Sequence, residues 1–317
     1  MLNKVLYRLY RRIKPLPENA WFTSEYVDLF NAEANRYIRK TLSNSDGGLM
    51  LTKPGSYELE MAVLLRGVET VEDIKALPQE HQIKIYQNFE NIYNNAGVFP
   101  HDIRIAIEYK NLFLRDIEQA DIICSYVKGE GLIEDLTQKA RKVNMKGFCN
   151  PFEYKNPWSE MLRDKKVLVI NPFVDSIRSQ YEKNRSKLWN SPDVLPQFKS
   201  LSTIKAVQSI AGNGESTGYK DWFEALESMK AEMNATDYDI AIIGCGAYGM
   251  HLAAHAKRSG KIGIHNGSMT QFLFGVYGRR WVEHQPELSK YINEYWVRPS
   301  EQEKPKNFNK VENGCYW

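Results

Sequence analysis

The chain has 317 residues, 43% hydrophobic and 26% charged, with 42 basic against 39 acidic side chains and a formal net charge of +3. That balance fits a folded globular protein and gives no electrostatic case for nucleic acid as a partner. No run of about 18 apolar residues occurs, and Cys124, Cys149, Cys245 and Cys315 lie far apart, so no membrane span, disulfide framework or zinc site is expected.

Residues 1–44 read as an N-terminal helical extension. Within it, residues 3–13 place Val5, Leu6, Leu9, Tyr10 and Ile13 on one helical face, with Lys4, Arg8, Arg11 and Arg12 around the rest. Such a helix either docks on the domain with a solvated basic face or lies on anionic lipid. No secretory leader is apparent, because basic residues run through the N-terminus without an apolar stretch. A cytoplasmic protein is expected, peripheral at the inner face of the membrane if residues 3–13 touch lipid.

The first strand-to-turn passage is Leu49 to Thr52, ended by Pro54-Gly55 and followed by a helical pattern through Leu59, Ala62, Val63 and Leu65. A helical insertion is expected at about 72–119, broken at Asn94-Asn95-Ala96-Gly97. Asp121 to Ser125 reads as a short strand, and 146–160 as a long loop. From Lys166 the pattern becomes regular: an apolar strand to Ile170, the turn Asn171-Pro172-Phe173, and a helix from Asp175 to Leu188. A weaker strand over 203–207, a helix over 219–233, the strand Ile240 to Ile243, a helix over 250–258 and the strand 261–265 follow. Short apolar strands alternating with helices predict an α/β fold, a Rossmann-like and mostly parallel sheet covered on both faces. The main domain spans 45–295. The polar tail 296–317 closes on Cys315-Tyr316-Trp317, aromatics that predict packing back onto the domain.

Gly244-Cys245-Gly246-Ala247-Tyr248-Gly249 matches G-x-G-x-x-G between a strand and a helix. Glycines permit a tight turn and close backbone approach, and a helix N-terminus offers N–H groups to phosphate. A dinucleotide site also needs an acidic residue at the end of the next strand, where this chain has His265-Asn266-Gly267. The turn therefore reads as a nucleotide or diphosphate site, a structural turn, or an NAD site lacking its ribose carboxylate. His251 and His255 have metal-ligand spacing but lack the intervening glutamate of H-E-x-x-H, since Leu252 stands there. No Walker lysine motif, G-x-S-x-G elbow or kinase signature occurs.

Ligands of open parallel sheets bind beyond the carboxyl ends of the strands. Collecting those ends gives Gly55, Ser56 and Glu58; Asn171 and Phe173; Gln208 and Ser209; Gly244, Gly246, Tyr248 and Gly249; and His265, Asn266 and Gly267. This oxygen-rich, glycine-rich set suits a sugar phosphate or nucleotide sugar. Candidate cations for a diphosphate are Lys53, Arg178, Arg279 and Arg280, the last two beside Trp281.

The segment Thr52-Lys53-Pro54-Gly55-Ser56-Tyr57-Glu58-Leu59 resembles the Arg-x-Gly-Asp-Gly-Glu segment of GT-D type glycosyltransferases. The stretches VLVINPF, DSIRSQYEKNRSKLW, GCGAYG, GKIGIHNGSMTQFLFGVYGRRW and GCYW resemble a GT-D-fold-like branch associated with bacterial surface-polysaccharide synthesis. The resemblance covers roughly residues 45–317. It implies a nucleotide-sugar donor, typically a UDP-sugar, a saccharide or lipid-linked acceptor, and a D-x-E motif engaging Mn or Mg. Its second carboxylate falls on Glu58, the expected metal ligand or catalytic base, and its first on Ser56. On a glycosyltransferase reading, Arg279 and Arg280 are expected to hold the diphosphate with the 244–249 turn, His265, Asn266 and Gln271 to contact sugar or nucleotide, and His265 to join Glu58 as a catalytic candidate. The competing expectations are an NAD(P)-dependent oxidoreductase and a non-catalytic nucleotide- or sugar-binding protein.

Overall fold

A computed structural model of the protein describes residues 26–210 and 216–317. The basic segment 3–13 lies outside the described residues. Seven strands form one sheet: β1 (Leu49–Thr52), β2 (Ile122–Cys124), β3 (Arg141–Val143), β4 (Lys166–Asn171), β5 (Ser200–Lys205), β6 (Ile240–Ile243) and β7 (Ile262–His265). Their order is β3-β2-β1-β7-β6-β4-β5, and every pairing is parallel. The sheet is thus α/β and Rossmann-like.

Alternation along the strands sorts their side chains between two cores. Met50, Ile123, Leu168, Ile170, Ala241 and Ile243 point to one face, and Leu51, Ile122, Val167, Val169, Ile240 and Ile242 to the other. The described helices that cover the sheet are α1 (Asn31–Ser43), α2 (Ser56–Leu64), α3 (Val71–Ala76), α4 (Gln79–Asn91), α5 (Ile103–Ile117), α6 (Val174–Leu188), α7 (Trp222–Ala235), α8 (Tyr248–Arg258) and α9 (Met269–Leu273). The first face carries α2, α4, α5, α7 and α8, through Leu59, Phe89, Phe113, Trp222 and Leu252. The second carries α1, α6 and α9, through Ile38, Ile177 and Phe272. Burying each such side chain contributes roughly 1.5–3 kcal/mol. At Gly263 of β7 a Cβ would lie 2.5 Å from the Ala253 carbonyl, so this glycine lets α8 lie directly on the sheet.

The lower ends of the strands are pinned by aspartates. Asp121 accepts from the Met50 N–H at 2.8 Å and from the Lys257 ammonium at 2.8 Å, and Asp239 accepts from the Lys166 N–H at 2.9 Å. Each carboxylate satisfies a strand-starting N–H that the neighbouring strand leaves open.

Several boundaries differ from the sequence reading. The helical stretch over 72–119 belongs to the crossover from β1 to β2 rather than to an insertion. β5 begins at Ser200, before the expected 203, because an edge strand of mostly half-exposed residues carries a diluted apolar signal. α7 begins at Trp222, where the Asp221 carboxylate accepts from the Glu224 N–H at 2.9 Å. β3, with only Lys142 and Val143 buried, has no apolar run to announce it. The segment 146–160 holds helical turns at Met145–Cys149, Pro151–Glu153 and Trp158–Leu162, gathered around the buried Trp158.

Residues 296–317 lie against the domain. The Glu303 carboxylate, 1% exposed, receives the N–H groups of Asp175 and Ser176 at 2.9 and 3.2 Å and the hydroxyls of Ser176 and Ser300. It caps α6, whose N-terminal N–H groups would otherwise be buried without partners. Further along, Gly278 leaves room for the chain at Cys315-Tyr316, since a Cβ there would come within 2.3 Å of the Tyr316 backbone.

Candidate functional site

The carboxyl ends of β1, β2, β4, β5, β6 and β7 surround a cavity of about 200 Å³. Its floor is the β1–β7 seam, where the backbone of Lys53 donates to the His265 carbonyl at 3.0 Å. Lys53 follows directly on β1, and its side chain enters the cavity. The ammonium donates to the Tyr126 hydroxyl at 3.2 Å and sits 4.5 Å from the centre of that ring, while Tyr126 donates onward to the Pro54 carbonyl. Among the described residues the hydrogen-bond partner of Lys53 is this hydroxyl rather than a carboxylate. Burial opposes its charge, but the Tyr126 hydroxyl and the Cys149 and Cys124 thiols hold its pKa above the ordinary lysine value. The cavity therefore contains a charged ammonium that shares its lining with the Glu58 carboxylate but, among the described residues, forms no direct ion pair.

Glu58 stands in the first turn of α2, 8% exposed, with its carboxylate folded over Gly55. A Cβ at Gly55 would fall 1.9 Å from a Glu58 oxygen, so a side chain there would push the carboxylate out of this position. Burial raises the Glu58 pKa, against the pull of its own backbone N–H and of Lys53. Ser56, the preceding polar position on this turn, is exposed.

His265 closes the floor. Its Nδ1 lies 3.1 Å from the Thr52 hydroxyl, and its ring rests on Gly249, where a Cβ would sit 2.4 Å from Cδ2. Burial, with Lys53 and His251 nearby, depresses its pKa to about 3. The ring is neutral at physiological pH and a poor base, so its contribution to the cavity is a hydrogen-bonding edge rather than a charge.

The glycine turn forms another wall. Gly244 approaches the Gly267 carbonyl so closely that a Cβ would come within 2.3 Å, and Gly246 adopts φ +56° against the Ala96 carbonyl. Ala247 donates to Ala96 and Gly249 to Gly246, whereas the N–H groups of Cys245 and Gly246 have no acceptor among the described residues. They front α8, whose N-terminus adds positive potential. Tyr248 is fixed by stacking on Trp222 at 4.9 Å and by the Ser209 hydroxyl at 3.1 Å, and Ser209 also donates to the Gly97 carbonyl.

The last wall comes from the tail. Arg280 donates to the Tyr316 hydroxyl at 3.1 Å with its guanidinium 4.6 Å from that ring, and Gln271 donates to the Tyr316 carbonyl at 3.3 Å. Phe173 meets Trp317 edge to face at 5.6 Å. The cavity thus brings together Gly55, Ser56, Glu58, Phe173, Ser209, Gly244, Gly246, Tyr248, His265, Gly267, Gln271 and Arg280.

Four expected contacts fall elsewhere. The Asn171 amide ties two loops, donating to the Gly244 carbonyl at 2.8 Å and accepting from the Phe173 N–H at 2.9 Å. Asn266 is fully buried outside the cavity lining, because it follows His265 on an extended chain and faces the opposite side of the sheet. Gly249 backs the His265 ring. Arg279 is an outward-facing residue paired with Glu283 at 2.9 Å. Of the other basic candidates, Arg178 bonds Thr203 away from the cavity, and Lys53 lies within it. Tyr126, Tyr316 and Trp317 were not among the expected site residues; Tyr316 and Trp317 carried a signal as closing aromatics, whereas Tyr126 follows a three-residue strand without any motif.

The residues do not fit a divalent cation. Among the described residues no group of three His, Cys, Asp or Glu side chains is placed to hold a metal, and a hard cation needs several oxygen ligands where this turn offers one carboxylate. His251 and His255 are no exception. His251 is buried against Asp116, with Nδ1 2.8 Å from the carboxylate, and His255 bonds Asn234. No family model, no curated protein and no solved structure matches the chain.

Proposed function

We propose that the chain is a glycosyltransferase acting on a nucleotide-sugar donor, a UDP-sugar, and on a saccharide or lipid-linked acceptor of bacterial surface polysaccharide. The observation that carries this reading is the joint presence, at the carboxyl ends of a parallel sheet, of the Lys53 ammonium and the buried Glu58 carboxylate in one cavity. The ammonium of Lys53, the Arg280 guanidinium and the Cys245 and Gly246 N–H groups suit a diphosphate. A pocket of about 200 Å³ is smaller than the roughly 300–1,000 Å³ of typical ligand sites. It accommodates the reacting part of the donor, with the remainder at the mouth beside Tyr316 and Trp317.

In the reaction, Glu58 takes the proton of the acceptor hydroxyl as the acceptor oxygen bonds to the anomeric carbon. The bond from that carbon to the diphosphate oxygen breaks, and its electron pair leaves with the phosphate. The raised pKa of Glu58 improves it as a base, since proton-transfer efficiency increases as the pKa approaches working pH. Lys53, Arg280 and the turn N–H groups offset the charge that develops on the leaving diphosphate.

Calorimetry with UDP, several UDP-sugars and NADH, followed by a transfer assay, tests the reading. UDP-sugar binding is expected, with Glu58→Gln lowering transfer by about a hundredfold or more while leaving UDP affinity within about threefold. NADH binding without UDP binding would instead favour an oxidoreductase. UDP-sugar binding without transfer would favour a non-catalytic binding protein.

A further inference from the structure

The proposed donor carries a diphosphate, a group for which related chemistry commonly recruits a divalent cation, yet this cavity is built differently. We propose that Lys53 is the resident counter-cation for the phosphates of the ligand and that the site binds them without a divalent metal. Three observations support the assignment. The first is that the ammonium lies inside the cavity, bonded to the Tyr126 hydroxyl and, among the described residues, in no ion pair with Glu58 or another carboxylate. The side chain is part-buried, and a cation partly withdrawn from water is stabilised by an incoming anion. The second is its placement: one hydrogen goes to Tyr126, and the side chain passes Gly267, where a Cβ would stand 3.9 Å from Nζ. The ammonium thus lies between Tyr126 and Gly267, in the same cavity lining as Cys245 and Gly246 of the glycine turn, whose N–H groups offer further donors, and as the Glu58 carboxylate.

The third observation concerns ligands for a metal. Ser56 occupies the position where a second carboxylate would complete a pair with Glu58, and it is exposed. His265 is engaged with Thr52 at Nδ1. A divalent ion at Glu58 would thus gain a single carboxylate while facing a charged ammonium in the same cavity. Lys53 and a metal are alternatives for one task, and the residues present favour the lysine.

The part of this inference that concerns nucleotides rests on the function proposed above, so inorganic pyrophosphate serves as an independent probe. Full-length protein is titrated with pyrophosphate and with UDP in EDTA, as wild type and as Lys53→Met, with thermal melts and circular dichroism to establish that the variant folds. Both ligands are expected to bind wild type in EDTA, and the variant is expected to lose about tenfold to a hundredfold in affinity. Pyrophosphate binding that depends on Lys53, without UDP binding, would uphold the lysine's role and defeat the nucleotide-sugar reading. Binding absent in EDTA and restored by Mn²⁺ would overturn the inference, as would a folded Lys53→Met that binds pyrophosphate like wild type. Should the variant fail to fold, the wild-type titrations in EDTA and in Mn²⁺ still decide whether a metal is required.

Discussion

Replacing His265 by Gln tests the electrostatics of the cavity floor. The ring is 5% exposed, and its pKa falls from 6.5 to about 3 in the folded chain. A depressed histidine pKa means that the unfolded chain binds the proton more readily. The associated stability is fully present above about pH 6.5 and is lost as pH falls toward about 3. Between pH 6.5 and about 4.5 the loss is two units at 1.36 kcal/mol each, about 2.7 kcal/mol. Glutamine is uncharged across this range and can still hydrogen-bond Thr52. Urea unfolding of both proteins at about pH 7.5 and about pH 4.5 isolates the effect, because the remaining carboxylates and His251 titrate in each. Wild type should lose about 2–3 kcal/mol more than the variant over that interval. Equal losses, within about 0.5 kcal/mol, would refute the reasoning and show that the ring is hydrated in the folded state.

Other perturbations probe the walls. Glu303→Ala removes the acceptor for the first N–H groups of α6 and should cost about 3–5 kcal/mol in urea unfolding; limited proteolysis should then release the tail after residue 296. Because Tyr316 and Trp317 line the cavity, ligand affinity should fall with it. Gly244→Ala forces a methyl toward the Gly267 carbonyl, 2.3 Å from the ideal Cβ position, and should destabilise by about 1–3 kcal/mol with a matching loss of ligand affinity.

The sheet was legible because its strands are buried on both faces. Val167 to Ile170 and Ile240 to Ile243 are continuous apolar runs, and burial on both sides produces that pattern. β3 escaped because its burial rests on Lys142 and Val143, without an apolar run, and the crossover helices concealed that α2 to α5 connect neighbouring strands. At the site, residues immediately beyond strand ends were readable, including Gly55, Glu58, Gly244 and His265. Side-chain direction was not. Asn171 occupies the right turn but spends its amide on the fold, and Asn266 is buried outside the cavity lining with neither amide atom bonded among the described residues. Arg279 and Arg280, adjacent in sequence, face solvent and cavity respectively. Lys53 was one basic residue among four candidates until the chain brought Tyr126 beside it.

The pairing of β1 with β7 also has a consequence for synthesis. Thr52 and His265 are 213 residues apart, so the β7-facing edge of β1 stays open while the intervening chain is made. At about 5–20 residues per second this interval lasts roughly 10–40 s. During it, the nascent β3-β2-β1 half-sheet presents an unpaired, apolar edge of the kind that recruits foreign strands. A ribosome-bound chain stalled before residue 262 should therefore engage chaperones more strongly than one stalled after the β7 segment has cleared the exit tunnel.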